Sequence, residues 1–443
     1  MAKNTDFIDE RSERRARALH GRASEETKGI PFIKRHAEKA LAELVLSFPV
    51  ILVTGPRQIG KSTLLQNTPR TGKIPYITFD DTSEIAAVKN DAKTFLSLHS
   101  PPVVFDEIQY VPELFPLIKL KVDKNKKKAM YFLTGSQHGL GFETRHLMKN
   151  ISESLAGRIG ILQLMGLSVR ETGGDTFNKP FIPTMKYFTA RKKDVKNYSA
   201  FDIWKMIHTG SFPAVVSGFS RQKAFYDSYI RTYIERDVRA LSNVGNELQF
   251  MQFITVAANR TGQMVNFCDM ARDVQISEPT AKKWLSILVT SGLVYLLPPF
   301  SMNVEKRVVK TPKLYFLDTG LAAYLTKWTN PDVLRQGAAA GAFFETFVVA
   351  EILKSYYNAG MEPSLYYYRD KDKKEIDLLI MENGTLYPLE IKMTATPKES
   401  DAAAFKVLKA VKGLNIGSGG LICTTDSLGI IGKDRYSIPA FWL

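Results

Sequence analysis

VILVTGPRQIGKST, residues 50–63, decides the fold of this chain. Val50 to Thr54 are apolar or β-branched, the composition of a short strand buried on both faces. Gly55, Pro56, Arg57, Gln58, Ile59, Gly60, Lys61 and Ser62 then match G-x-x-x-x-G-K-S in full. A strand before the motif and a helix after it form the context in which this turn binds phosphate. Backbone N–H groups wrap the anion at the helix N-terminus, Lys61 neutralises β/γ-phosphate charge, and Ser62 coordinates Mg2+. Thr63, one residue into the helix, is grouped with them as a cofactor-binding residue. ATP and Mg2+ are the expected ligands.

Working outward, VVFDEIQ (residues 103–109) is an apolar strand ending in Asp106 and Glu107, with Asp106 45 residues after Lys61. Open α/β sheets bind ligands beyond the carboxyl ends of their strands, which puts Asp106 near Mg2+. Glu107 then polarises the attacking water. FLTGSQ (residues 132–137) ends another strand, and its polar side chains, Ser136 among them, are expected to face the γ-phosphate. Tyr76 to Phe79 reads as a further strand. Helical patterns lie between, beginning with Ile30 to Phe48. Short apolar runs alternating with helices predict an α/β fold with a parallel sheet covered on both faces.

The 443 residues imply two to four domains. Lys and Arg outnumber Asp and Glu by 60 to 45, a formal charge of +15 that favours a polyanion partner such as duplex DNA. Cys268 and Cys423 build no disulfide framework or zinc site. The polar, charged start MAKNTDFIDERSERR reads as no signal peptide, and Leu44 to Val53 is about half of a membrane span. A cytoplasmic protein with no membrane partner is expected.

Five units follow from the patterns. Residues 1–28 are a charged arm, 29–172 the P-loop ATPase domain, and 173–245 a helical lid or connector, with 172–197 read as irregular. Residues 246–312 show helix, short turn, helix and apolar strand, with Ser277 as N-cap and Gly292 as stop, the outline of a winged helix-turn-helix. Its second helix carries Lys282 and Lys283, with Lys306, Arg307 and Lys310 beyond, suited to phosphate contacts. It lacks the Arg, Asn and Gln set that reads bases. The same module also serves for protein packing.

Residues 313–443 form a second α/β unit, opened by a strand at Leu314 to Leu317. A long helix, Phe343 to Tyr357, carries Glu345. Asp377 lies on the strand Glu375 to Met381, and Asn383-Gly384 turns the chain into Leu386 to Lys392, which carries Glu390 and Lys392. Period two places Glu390 and Lys392 on one face. Helix glutamate, Asp, hairpin and Glu-x-Lys is the layout of a PD-(D/E)XK, restriction-endonuclease-like fold. In that chemistry Asp377 and Glu390 hold Mg2+ and Lys392 orients the attacking water. A solvated charged hairpin is the alternative.

The chain resembles bacterial and archaeal AAA+ ATPases that pair an N-terminal AAA domain with a C-terminal domain of unknown function. GPRQIGKSTLL, FDDTSE, VVFDEIQ, FLTGSQ, SLAGRIGILQLMGLSVRE, YIERDV, LYFLDTGLAAYL, EIDLLI and LEIK carry the likeness across residues 30 to 400. The resemblance implies an arginine that stabilises phosphoryl charge, with Arg158 in LAGR as first candidate and Arg236 as second. It is compatible with a homo-oligomer or a protein partner. Two functions stay open: an ATPase coupled to DNA and a nuclease-like domain, or an ATP-gated protein-interaction switch with that domain as a scaffold.

Overall fold

The computed structural model describes residues 32–136, 154–233, 247–301, 311–370, 372, 374–410, 413 and 415–443. The predicted arm, Gln137, Arg236, Lys306, Arg307 and Lys310 lie outside them.

Helix α1 (Ala37–Ser47) leads into β1 (Val50–Gly55), the phosphate-loop turn and α2 (Lys61–Asn67). β2 (Tyr76–Thr78), α3 (Thr82–Leu98), β3 (Val103–Asp106), α4 (Leu114–Asn125), β4 (Tyr131–Ser136) and β5 (Ile159–Gln163) follow. The five strands form one parallel sheet in the order β2-β3-β4-β1-β5. β1 and β3 are buried along their whole length, as their unbroken apolar runs require. The sheet aligns Gly55 with Ser136 and Thr78 with Asp106, so the motif residues gather at one edge.

α5 (Val169–Thr172), α6 (Met185–Arg191), α7 (Ala200–Thr209), α8 (Pro213–Val216) and α9 (Gln222–Tyr233) come next. Residues 172–197, expected to be irregular, contain α6 and bury Phe177, Phe181, Tyr187 and Phe188. A seven-residue helix is too short to show a period, and its core contacts are made by aromatics spaced through loop.

α10 (Glu247–Asn259), β6 (Gln263–Met264), α11 (Phe267–Val274), α12 (Glu278–Thr290), β7 (Val294–Leu297) and β8 (Lys313–Phe316) make three helices and a three-stranded antiparallel sheet, order β6-β8-β7. Ser277 caps α12 by accepting from the Thr280 N–H, and Gly292 (φ 71°) ends it. The strand expected to open the C-terminal unit therefore closes this sheet instead. Its apolar run shows that it is a strand, not which sheet it joins.

After α13 (Thr319–Leu325) and α14 (Pro331–Gln336), α15 (Ala340–Asn358) is buried around most of its circumference. It packs against α1 and β5 on one side and β8 and β11 on the other. β9 (Leu365–Arg369), β10 (Glu375–Glu382), β11 (Thr385–Ile391), β12 (Asn415–Ile416), β13 (Gly419–Cys423), β14 (Gly429–Gly432) and β15 (Arg435–Pro439) form a mixed seven-stranded sheet. Asn383 (φ 49°) and Gly384 (φ 74°) are both left-handed, as a two-residue hairpin turn demands. No helix among the described residues is long and apolar enough to cross a membrane.

Candidate functional site

The phosphate loop turns on backbone that only certain residues tolerate. Gly55 has φ +148°, and a Cβ there would lie 2.1 Å from the Leu164 carbonyl oxygen, so no side chain fits. Gly60 (φ +90°) is the left-handed residue just before α2. Lys61 is buried and donates to the carbonyls of Gly55 (3.2 Å) and Pro56 (2.9 Å). Burial pushes its ammonium down to about 8, against the opposing pull of Glu107 and Asp106.

Ser62 Oγ donates to Asp106 Oδ1 at 2.8 Å. Adjacent ligands on an octahedral Mg2+ stand about 2.9 Å apart, so the pair fits the ion. Asp106 also accepts from Tyr76 Oη (2.5 Å), Thr78 Oγ1 (3.4 Å) and the buried Thr134 hydroxyl. Burial and the Asp106 carboxylate hold the Tyr76 phenol well above its ordinary range. Glu107 sits in the left-handed region (φ 55°), its N–H bonded to Thr134 Oγ1 at 3.0 Å and its carboxylate accepting from Gln109 Nε2. A cleft of about 850 Å3 is lined by Arg57 to Thr63, Glu107, Phe32, Arg221 and Phe225.

Tyr76, Thr78 and Gln109 escaped the sequence reading. Parallel register between β2 and β3 brings the first two to Asp106, and register is not written in either strand alone. Ser136 ends β4, its backbone aligned with Gly55. Arg158 lies at the other end of the sheet. Its carbonyl accepts from the Val50 N–H, at the start of β1, and its guanidinium pairs with Asp123 at 2.5 Å. Five residues of strand separate it from Gly55 of the same chain.

On α12, Lys282 bonds Glu278 at 2.6 Å and lies over the Phe267 ring, while Lys283 is exposed.

The C-terminal acidic residues do converge, around a residue the sequence reading passed over. Lys313, the first residue of β8, is 5% exposed, with Nζ 3.1 Å from Glu345, 2.5 Å from Glu375 and 3.9 Å from Asp377. Burial opposes its charge, but Glu345, Asp377 and Glu375 hold the ammonium well above its ordinary range. Tyr315 Oη donates to Glu345 at 2.5 Å. Burial holds the Glu345 carboxyl above the usual range despite Lys313. Asp377 Oδ2 accepts from the Ile391 N–H at 2.9 Å. Glu390 faces Asp377, and burial first, then that neighbour, push it up to about 9. Its Oε1 is buried without a hydrogen-bond partner. Lys392 falls one residue past β11 and bonds Asp401 at 3.1 Å. Its charge also acts on Glu390, opposing the rise of that carboxyl. Among the described residues, no three His, Cys, Asp or Glu side chains group to hold a metal ion.

Three family models match: an AAA domain over residues 47–173, a domain of unknown function (DUF8612) over 200–332, and a domain of unknown function (DUF4143) over 340–441. Uncharacterized protein Rv2008c of Mycobacterium tuberculosis is 30% identical over 371 residues, covering 83% of this chain and 75% of the relative. Uncharacterized protein Mb2031c of Mycobacterium bovis matches equally. The chain belongs to this family of AAA ATPases with a C-terminal DUF4143 domain. Within the family's layout, β8 falls in the middle model rather than the last, in agreement with its pairing to β6 and β7. Among solved structures, the Walker-type ATPase PABY2304 of Pyrococcus abyssi aligns at 17% identity and TM-score 0.41, covering 66% of this chain and 96% of that one. The RuvB Holliday junction branch migration motor of Thermotoga maritima aligns at 16% and 0.29, covering 59% and 89%.

Proposed function

We propose that this AAA ATPase family member hydrolyses ATP in the cleft above Gly55 to Thr63 and uses the cycle as a switch on the modules that follow. The observation that carries this is the buried Lys61 beside the Ser62–Asp106 pair, with Glu107 held next to them. Lys61 exchanges its two loop carbonyls for phosphate oxygens. Ser62 and Asp106 hold the metal, while Glu107, fixed by Gln109 and Thr134, orients the attacking water. Mg2+ supplies charge neutralisation on the phosphates. Residues 213–228, which line the cleft together with the phosphate loop, act as the lid. Arg158 serves, if at all, a neighbouring copy in a homo-oligomer. Lys61→Ala abolishes nucleotide binding on this account; retained affinity removes the assignment.

For the C-terminal domain, the arrangement around Lys313 favours the scaffold over the nuclease. The Lys313 ammonium already sits among Glu345, Glu375 and Asp377 and offsets part of their charge, Arg369 pairs with Glu375 at 3.1 Å, and the Lys392 ammonium pairs with Asp401. The net charge of +15 and the exposed Lys283 support duplex DNA as a partner of the three-helix module. Incubating the chain with duplex and single-stranded DNA and RNA in Mg2+ or Mn2+, with and without ATP, separates the readings. Cleavage that disappears in Asp377→Ala establishes the nuclease; DNA binding that weakens steeply with salt, without cleavage, supports the scaffold.

A further inference from the structure

Arg35, two residues before α1, is 4% exposed, and its guanidinium makes three hydrogen bonds to three parts of the chain. Nη1 donates to the carbonyl of Ile59 in the phosphate loop at 2.9 Å. Nη2 donates to the Met165 carbonyl at 2.7 Å, and Nε bonds Glu171 Oε1 at 3.0 Å. A trans peptide points its carbonyl and the following N–H in opposite directions. Fixing the Ile59 carbonyl therefore fixes the direction of the Gly60 N–H, one of the loop's phosphate donors.

Glu171 is buried in turn. Its Oε2 accepts from the N–H (2.8 Å) and hydroxyl (3.1 Å) of Ser168, closing a capping box at the start of α5. The same short segment is gripped from the other side by α15. Glu351 Oε2 accepts from the Val169 N–H at 2.8 Å. Lys354 Nζ donates to the Leu167 carbonyl at 3.0 Å and to Glu351 Oε1 at 2.7 Å, and both side chains are nearly fully buried. Two buried ion pairs thus flank residues 167–171, one reaching the phosphate loop and the other on the long helix of the C-terminal domain. Buried pairs add little net stability because desolvation offsets their attraction, whereas removing one partner is costly because it strands the other charge.

We propose that Arg35 is a positioning residue for the phosphate loop, and that Glu351 and Lys354 set its grip, so that the loop binds nucleotide tightly only while α15 is docked. The inference rests on the reading of Gly55 to Ser62 as the ATP site. It makes the C-terminal domain a determinant of ATP affinity, although α15 touches no part of the phosphate loop's cleft.

The test uses the full chain and equilibrium binding of ATP with Mg2+, with turnover and thermal melting in parallel. Glu351→Leu combined with Lys354→Met removes both buried charges. The dissociation constant for ATP is expected to rise about tenfold, the scale of one charge-assisted hydrogen bond. Turnover at saturating ATP should stay within about twofold, because Asp106, Glu107 and Thr134 are not on this route. A merely structural role would lower the melting temperature and leave affinity alone. Arg35→Lys should weaken binding likewise, and joined to the α15 changes it should add little more. Multiplying effects, or unchanged affinity in the α15 variant, overturn the proposal. Should that variant fail to fold, Glu351→Gln keeps the volume and is expected to weaken binding about threefold on the same scale; wild-type affinity there overturns the proposal equally. A wild-type chain that binds no ATP would overturn the nucleotide-site reading as well, whereas tight wild-type binding with indifferent variants overturns this inference alone.

Discussion

Lys313→Met is the perturbation whose size the structure sets most firmly. The ammonium is 5% exposed and lies 2.5 to 3.9 Å from three carboxylates on α15 and β10. Methionine fills much of the volume but takes the nearest cation from Glu345 and Asp377 and leaves Glu375 with Arg369 alone, 3.1 Å away. Breaking a buried pair in this way costs about 3–5 kcal/mol. The loss depends on pH. In the wild type, the raised Lys313 value keeps the ammonium charged in both folded and unfolded chains from pH 5 to 9, so its own ionisation adds no pH dependence there. In the variant, the Glu345 carboxyl, already raised by burial, loses the ammonium that opposes that rise and holds its proton more readily folded than unfolded. Its contribution then falls as pH rises above the ordinary carboxylate range. Thermal and urea unfolding of wild type and variant at pH 5 and pH 8 measures both. The gap should be several kcal/mol at pH 8 and much smaller at pH 5. A variant as stable as wild type at pH 8, or an equal loss at both pH values, refutes the reasoning.

Lys61→Met should not destabilise the nucleotide-free chain at pH 7. Burial lowers the lysine from 10.5 to about 8, so below pH 8 the folded state carries a penalised charge worth roughly 3 kcal/mol. That penalty is already net of the attraction of Glu107 and Asp106, so a thioether of similar volume should be neutral to stabilising. Melting with and without ATP and Mg2+ checks this: the variant should match or exceed the wild type alone and gain nothing from nucleotide. Glu390→Gln should become increasingly stabilising between pH 5 and 9. The raised carboxyl contributes stability that is complete below about 4.5 and is lost as pH rises through about 9, while the amide mimics the protonated acid and does not titrate. A pH-independent difference in melting temperature would contradict it.

The nucleotide site was legible because its chemistry is local. Gly55 to Ser62 are contiguous, and the strand before and helix after them announce themselves by composition. Asp106 could be placed because strand ends are readable, but its partners Tyr76 and Thr78 come from strand register, which depends on the whole sheet. The acidic constellation was legible in part. Helix, hairpin and period two assembled Glu345, Asp377 and Glu390 correctly. Lys313 was invisible, since β8 pairs with β6 and β7 far back along the chain and delivers its lysine across a module boundary. Lys392 falls one residue past the end of β11, yet its N–H still bonds the Ile422 carbonyl and its charge still acts on Glu390. Arg35 and Glu171 carry no motif; only their burial between three segments reveals them.

The central claim is that Glu107 works on water beside a nucleotide held by Lys61. Glu107→Gln separates the two roles, since the amide keeps the shape and lacks the basicity. ATP turnover and equilibrium binding of ATP with Mg2+ should be measured side by side for wild type and this variant. The account predicts binding within about threefold of wild type and turnover slower by about a hundredfold or more, the usual scale for a general base. Turnover at the wild-type rate in Glu107→Gln would contradict it.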